Sequence, residues 1–328
     1  RKNLRSFVIP WPKLIPLPGH YLRASYQYSS SLYQKFIQHS LDADFIYAKG
    51  FAAWRLQKER AKGLKTAPLG IKFHGYEMFQ VAANWKVKLQ QYLLKGPARW
   101  NSQEADFVFS YGGKITDIIM KLGIPRDKIL EFATGIEADW LTKEVSPPRE
   151  RKSFVFLGRY ERRKGIEELM QILPNLLEEH KVDVHFIGPI PNHLQFSHPQ
   201  VQYHGKLMEK EKIQHILRRS DVLLCPSHSE GMPNVIMEAM ASGLYIIASD
   251  VGACSTLVSE ENGKLIRPIH TEDLKAAIEE VIRMDDAELM KKKQNSLEKV
   301  RDRFLWPEII QQILTEIEKI SSNSLAIS

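Results

Sequence analysis

The sequence predicts an α/β protein built from two parallel-sheet units, and three observations predict it. Short runs rich in β-branched and aromatic residues alternate with longer segments of helical period, the pattern of repeated strand and helix units. Several of those runs, among them Phe154-Val-Phe-Leu157 and Val222-Leu-Leu-Cys225, are apolar throughout, as strands are when helices cover both faces of a sheet. Residues 143–152, KEVSPPRERK, are polar and carry a Pro pair that stops any helix, so they divide the 328 residues into two halves of ordinary domain size.

Strands are expected in the first half at residues 7–10, 44–48, 69–73, 106–110 and 128–132. In the second half they fall at residues 153–157, 183–187, 201–203, 222–225, 245–249 and 264–266. A helix begins near Ile166, after a turn bearing Arg159 and Lys164. Another begins near Pro233, whose missing N–H costs nothing in a first turn, and Gly243 is its C′ stop. Ile309, Ile310, Ile313, Leu314, Ile317 and Ile320 form one helix face, and residues 321–328 read as a frayed tail.

Composition limits the function classes. No run of about 18 apolar residues could cross a bilayer, and the first residues lack the apolar stretch of a secretory signal. Cys225 and Cys254 are the two cysteines, both in apolar or small-residue surroundings, which argues against a disulfide framework and for a reducing compartment, the cytoplasm. The net charge of +7 is uneven: residues 1–150 hold 23 Lys and Arg against 13 Asp and Glu, residues 151–328 hold 23 against 26. The basic half points to an anionic partner, a membrane surface or an acidic substrate rather than nucleic acid. Residues 84–95 interleave Trp85 and Tyr92 with Lys86, Lys88 and Lys95, as either an interfacial helix or a helix covering the sheet would. No HExxH or CxxC pair occurs, and of His185, His193, His198 and His204, which cluster in sequence, three lie in or beside loops, so no metal is expected. The absence of Gly-x-Gly-x-x-Gly after any strand disfavours a dinucleotide oxidoreductase.

Two loops carry chemistry. In HSEGMPNVIMEAMASG (228–243), Glu230 lies in a loop and Glu238 in a helix, with the backbone amides of Gly231, Met232, Pro233 (its carbonyl only) and Asn234 between them. Unpaired N–H groups at a helix start suit an anion or a polar ligand's oxygens, and a carboxylate accepts two O–H bonds from a sugar or ribose diol. Arg159 and Lys164 follow an apolar strand at its carboxyl end, where open α/β sheets bind ligands, and a guanidinium with an ammonium matches a diphosphate.

The run FLGRYERRKGIEEL (156–169), with VHFIG (184–188) and residues 201–268, resembles the donor-binding domain of retaining glycosyltransferases of family 4, which have the GT-B fold, two Rossmann-like domains facing a cleft. The Glu-x7-Glu element is a signature of that family. The resemblance implies that Arg159 and Lys164 hold and stabilise the departing diphosphate of a nucleotide sugar, and that Glu238 bonds the ribose. It gives Glu230 to the transferred sugar, the backbone of Gly231, Met232, Pro233 and Asn234 to sugar and phosphate, and Gly205, Lys206 and Leu207 to the base.

GIKFHGYEMF (70–79) and residues 43–54 and 104–141 are similar to the family's acceptor domain, with His74 at the active-site histidine and Glu77 a lesser candidate. RFLWPEIIQQILTEIEKI (303–320) resembles its closing helix, which returns to the first domain. The implied domains are 1–148, acceptor side, joined by a helix at about 306–320, and 149–305, donor side. Against the family pattern, the first strand-helix-strand unit is missing in front. The implied activity is transfer, with retention, of a sugar from a nucleotide diphosphate sugar to a hydroxyl on a carbohydrate or lipid-linked acceptor, with no cofactor. A basic half then places the protein peripherally on the inner membrane face. A nucleotide-sugar epimerase of similar fold and a non-catalytic nucleotide-sugar or carbohydrate binder are the alternatives.

Overall fold

A computed structural model describes residues 6–15, 19–39, 43–82 and 84–325. The first half runs α1 (His20–His39), β1 (Ile46–Lys49), α2 (Trp54–Arg60), β2 (Leu69–Lys72), α3 (Trp85–Gln103), β3 (Phe107–Ser110), α4 (Lys114–Lys121) and β4 (Ile129–Glu131). The second half continues with β5 (Ser153–Leu157), α5 (Ile166–Glu179), β6 (Asp183–Ile187), β7 (Val201–Tyr203), α6 (Lys210–Arg218), β8 (Val222–Cys225), α7 (Asn234–Ala241) and β9 (Tyr245–Ser249). It closes with α8 (Cys254–Leu257), β10 (Gly263–Ile266), α9 (Thr271–Arg283), α10 (Asp286–Arg303) and α11 (Trp306–Leu325).

Every strand pairing is parallel. The first sheet has the order β1-β2-β3-β4, and the second β10-β9-β8-β5-β6-β7. From β5 the chain winds one way through β6 and β7, then returns to β8 and winds the other way. The order therefore reverses between β5 and β8, and the crevice outside their carboxyl ends is where such sheets take ligands. Phe154, Phe156, Val222, Leu224, Tyr245 and Ile247 are buried against α5 and α9, as all-apolar central strands require.

The expected strand at residues 7–10 does not form. Pro10 and Pro12 cannot donate to a ladder, and the segment docks instead through rings, Phe7 stacked on His39 at 4.8 Å and Trp11 against Tyr28 at 5.1 Å. Pro16 and Pro18 lie outside the described residues. The frayed tail is also corrected: α11 continues to Leu325, and residues 326–328 lie outside the described set. Its inward stripe is Ile309, Ile313, Ile317 and Ile320, whereas Ile310 and Leu314 are exposed. The helix lies along the first half, where Ser321 Oγ donates to the Asp44 carbonyl at 3.2 Å, while the backbone of Ile136 bonds to Phe304 and Trp306 at its start.

One buried ion pair ties α10 to the second sheet. Lys293 Nζ lies 2.8 Å from Asp221 Oδ1, both side chains almost fully buried, and Asp221 Oδ2 also accepts from the Ser153 amide. Burial pushes the Lys293 ammonium down while Asp221 opposes that shift. No helix among the described residues is long and apolar enough to cross a membrane.

Candidate active site

The loops after β5 and β8 are pressed together at the switch point. Gly165, at φ +68°, caps α5, and a β-carbon there would fall 1.8 Å from the Pro226 carbonyl oxygen, so no other residue fits. The loop after β5 is a single tight turn over Arg162–Lys164. Its side chains reach the loop after β8 at two levels. Deeper in, Arg162 pairs with Glu168, and Nε2 of the buried His228 ring lies 3.1 Å from both Arg162 Nη1 and Glu168 Oε1, able to accept from the first or donate to the second according to its tautomer. Burial holds that imidazole below its ordinary pKa, with Glu168 opposing.

Nearer the crevice, Lys164 Nζ lies 2.6 Å from Glu230 Oε1, and Ser227 Oγ donates to the same oxygen at 2.8 Å. The side chains are 18% and 8% exposed, so the charge pair is largely buried. Arg159 does not join it. It is 68% exposed and pairs with Glu161 at 2.9 Å, whereas Arg163 Nη1 approaches Glu230 Oε2 at 3.9 Å. The basic pair expected from sequence is thus one cation on the Glu230 carboxylate and one, exposed, paired with Glu161.

The amides beyond Glu230 are unpartnered. Pro233 is the N-cap of α7 rather than its first residue, Asn234 opens the helix, and Gly243, at φ +74°, follows its C-cap. Among the described residues the N–H groups of Gly231, Met232 and Asn234 have no hydrogen-bond partner. Met232 is buried, its Sδ accepting from the Thr134 amide at 3.2 Å. Glu238 lies elsewhere, one turn into α7, beside Lys210. Burial pushes its carboxyl up to about 7, with Lys210 opposing. The segment Gly205, Lys206, Leu207 precedes α6: Gly205 accepts from the Gly188 amide at 2.8 Å, Lys206 is exposed and Leu207 packs on the core. The two glutamates therefore sit in separate settings, one on Lys164 and one beside α6.

The first half supplies the opposite wall. His74 and Gly75 follow β2, and a β-carbon on Gly231 would lie 2.1 Å from the His74 carbonyl oxygen, so the two backbones touch. The exposed His74 ring meets Tyr111, Nδ1 3.4 Å from the hydroxyl. Gln80 spans the contact: its Nε2 donates to the Gly75 and Glu230 carbonyls at 2.6 Å each, and its Oε1 accepts from the Glu230 amide at 3.2 Å. Tyr76, at φ 49°, takes a left-handed conformation unusual for a side chain of its size, held by a fully buried ring whose hydroxyl lies 2.8 Å from Ser102 Oγ. A cavity of about 540 Å3 opens here, lined by His74, Glu77, Lys49, Lys72 and Tyr111 and reaching Arg163 and Ser229.

Sequence reasoning missed Gln80, Tyr76, Arg163, Lys49 and Lys72. The two lysines carried a signal, since each ends an apolar strand at the carboxyl side. Of the histidines, His185 and His204 do meet, Nδ1 to Nε2 at 3.1 Å. Glu179, His180 and Glu279 also converge, but Lys275 Nζ already lies 3.0 Å from Glu179 and 3.6 Å from Glu279. Both thiols are buried, and burial pushes that of Cys225 up to about 11.

Two parallel sheets with their carboxyl ends apposed form the architecture of the GT-B glycosyltransferases. A sucrose-phosphate synthase from Thermosynechococcus elongatus superposes with a TM-score of 0.74 at 19% identity, covering 96% of this chain and 81% of that one. Residues 151–284 match the family model described as "Glycosyl transferases group 1". A Bacillus subtilis protein named for glycosyl transfer in teichuronic acid biosynthesis is 30% identical over 138 residues, 42% of this chain and 35% of that protein. A phosphatidyl-myo-inositol mannosyltransferase of Mycobacterium tuberculosis is 30% identical over 168 residues, 45% and 42% of the two. The chain thus spans less than half the length of these two curated relatives.

Proposed function

We propose that this protein transfers a sugar, with retention, from a nucleotide diphosphate sugar to a hydroxyl on a carbohydrate or lipid-linked acceptor. The observation that carries the reading is the switch-point arrangement, in which the Lys164–Glu230 pair borders the unpartnered amides of Gly231, Met232 and Asn234. In this reading the diphosphate draws Lys164 and the exposed Arg159, while Glu238 accepts the ribose hydroxyls and Glu230 the hydroxyls of the sugar. The bond between the anomeric carbon and the phosphate oxygen breaks with its electron pair on the diphosphate. The acceptor oxygen then attacks from the same face and passes its proton to that leaving phosphate. The cations stabilise the charge that develops, which is electrostatic catalysis and needs no metal. His74 borders both the acceptor cavity and Gly231, and so sits where the acceptor hydroxyl would approach.

The names of the two curated relatives support cell-surface polysaccharide or glycolipid synthesis. The exposed stripe of α3 supports action at an anionic membrane: Trp85, Leu89, Tyr92 and Leu93 share one helical face and are 71%, 57%, 75% and 41% exposed, with Lys86, Lys88 and Lys95 around them. A transferase gives free nucleoside diphosphate plus glycosylated acceptor. An epimerase gives an isomeric donor with no acceptor consumed, and a binder gives neither. Product analysis with a panel of nucleotide sugars separates the three.

A further inference from the structure

Lys49 and Lys72 are direct partners across β1 and β2, at the carboxyl end of the first sheet. Like charges placed opposite each other on adjacent strands are destabilising. Neither ammonium has an ion pair among the described residues, and Lys72 Nζ instead lies over the Tyr111 ring, 3.8 Å from its centroid. Burial and the neighbouring Lys49 push the Lys72 ammonium down to about 8, so an anion at this point would relieve a cost the fold carries without it. Beside the phenols of Tyr21, Tyr76 and Tyr111, the charged and titratable groups lining the cavity are Lys49, Lys72, His74, Arg163 and one acid, Glu77, which faces Arg163 at 3.9 Å. Phe51, Met78, Val81 and Leu94 give the cavity an apolar wall, beside the polar Gln90, Gln91 and Ser229.

We propose that Lys49 and Lys72 form a subsite for a phosphate group carried by the sugar acceptor, with the apolar wall taking the less polar remainder. Two separate point charges suit a tetrahedral, doubly charged phosphate, where a planar carboxylate is matched by an arginine fork. The cavity reaches Ser229 and Arg163, so a molecule anchored at the lysines presents its other end to the donor loop. The acceptor part of this proposal rests on the transferase reading, whereas the phosphate site does not.

The test titrates the full chain with glycerol 3-phosphate, inorganic phosphate, glycerol and lysophosphatidic acid, and separately with a nucleoside diphosphate. Glycerol 3-phosphate is expected to bind and to raise Tm, and Lys49→Met and Lys72→Met each to weaken it roughly tenfold to a hundredfold, the worth of a charge-assisted hydrogen bond. Lys72→Arg should retain binding, and Lys164→Ala should leave it unchanged. Without ligand, Lys72→Met should melt above the wild type, because it removes one of two apposed charges. Lysophosphatidic acid binding more tightly than inorganic phosphate, in a lysine-dependent way, supports an acceptor. Equal affinity for the two marks a free-phosphate site and overturns that assignment. Glycerol 3-phosphate binding that ignores both Met variants, or no binding while the nucleoside diphosphate still binds, overturns the subsite and leaves the transferase reading intact. Lysine-dependent phosphate binding with no nucleotide binding supports the subsite and overturns the transferase reading.

Discussion

Removing the Lys164 ammonium and neutralising the Glu230 carboxylate should have different effects on nucleotide binding, because the carboxylate and the diphosphate compete for the same ammonium. Lys164 Nζ and Glu230 Oε1 are 2.6 Å apart, which at an effective dielectric of about 20 corresponds to a gross attraction of about 6 kcal/mol. Desolvation offsets much of that, and deleting one partner of a buried pair costs about 3–5 kcal/mol. Lys164→Ala should fall at the lower end, about 3 kcal/mol, since Ser227 Oγ still donates to the remaining carboxylate. For a unit of this size that lowers Tm by roughly 6–12 °C. The same variant should bind a nucleoside diphosphate roughly tenfold to a hundredfold more weakly. Glu230→Gln frees the ammonium, so nucleoside diphosphate affinity should hold or rise while turnover falls about a hundredfold or more. Calorimetric titration of both variants, with differential scanning of the unliganded proteins, reads all of these. If Glu230→Gln weakens the nucleoside diphosphate as much as Lys164→Ala does, the carboxylate is not a competitor for that ammonium and the assignment of roles fails.

Glu238 gives a pH signature. Its folded-state pKa, about 7, lies above its ordinary 4.5, so the folded chain holds the extra proton and loses stability as pH rises through that window. Glu238→Gln should match the wild type near pH 4 and exceed it by about 3 kcal/mol above pH 7 in urea titrations, yet lose ribose-dependent affinity. A ribose diol needs the ionised carboxylate, so wild-type nucleotide affinity should decline as pH falls through 7, with proton release visible between buffers of different ionisation enthalpy. Gln80→Ala removes two hydrogen bonds between the halves and one within the first, and should cost about 1–3 kcal/mol, with faster amide exchange at Tyr76 and Glu230. Unchanged exchange at both would mean that the clamp is not what holds the loops together. Asp221→Ala should cost about 3–5 kcal/mol by leaving Lys293 buried and unpaired, whereas Lys293→Met with Asp221→Leu should come close to the wild type. Trp85→Ser with Tyr92→Ser should weaken binding to anionic vesicles in flotation assays, and binding should fall as salt rises.

The second half was legible almost residue by residue, for a physical reason. Its strands are buried on both faces, so runs such as residues 153–157 and 222–225 stand out as apolar blocks bounded by glycine and proline. The first half was less so at its start. Ring stacking holds residues 6–15 against α1, and sequence pattern carries no trace of contacts between rings 32 residues apart, such as Phe7 and His39. The loops that bear Glu230, Lys164 and His74 could be found because each follows a strand at its carboxyl end. What could not be read was how the halves meet: Gln80, a polar residue beyond a short turn, has no motif, and its role exists only once Gly75 and Gly231 lie in contact. The exchange of Arg163 for Arg159 at Glu230 is likewise a matter of turn geometry, since a tight turn over Arg162–Lys164 decides which side chain points inward.

The most direct measurement incubates the full chain with a panel of nucleotide sugars, uridine diphosphate sugars first, and a phosphate-bearing or lipid-linked hydroxyl acceptor, following both products by NMR. The account predicts release of nucleoside diphosphate matched by a new glycoside of the donor's anomeric configuration, both abolished in Lys164→Ala. A glycoside of inverted configuration, an isomerised donor with the acceptor untouched, or full turnover in Lys164→Ala would contradict it.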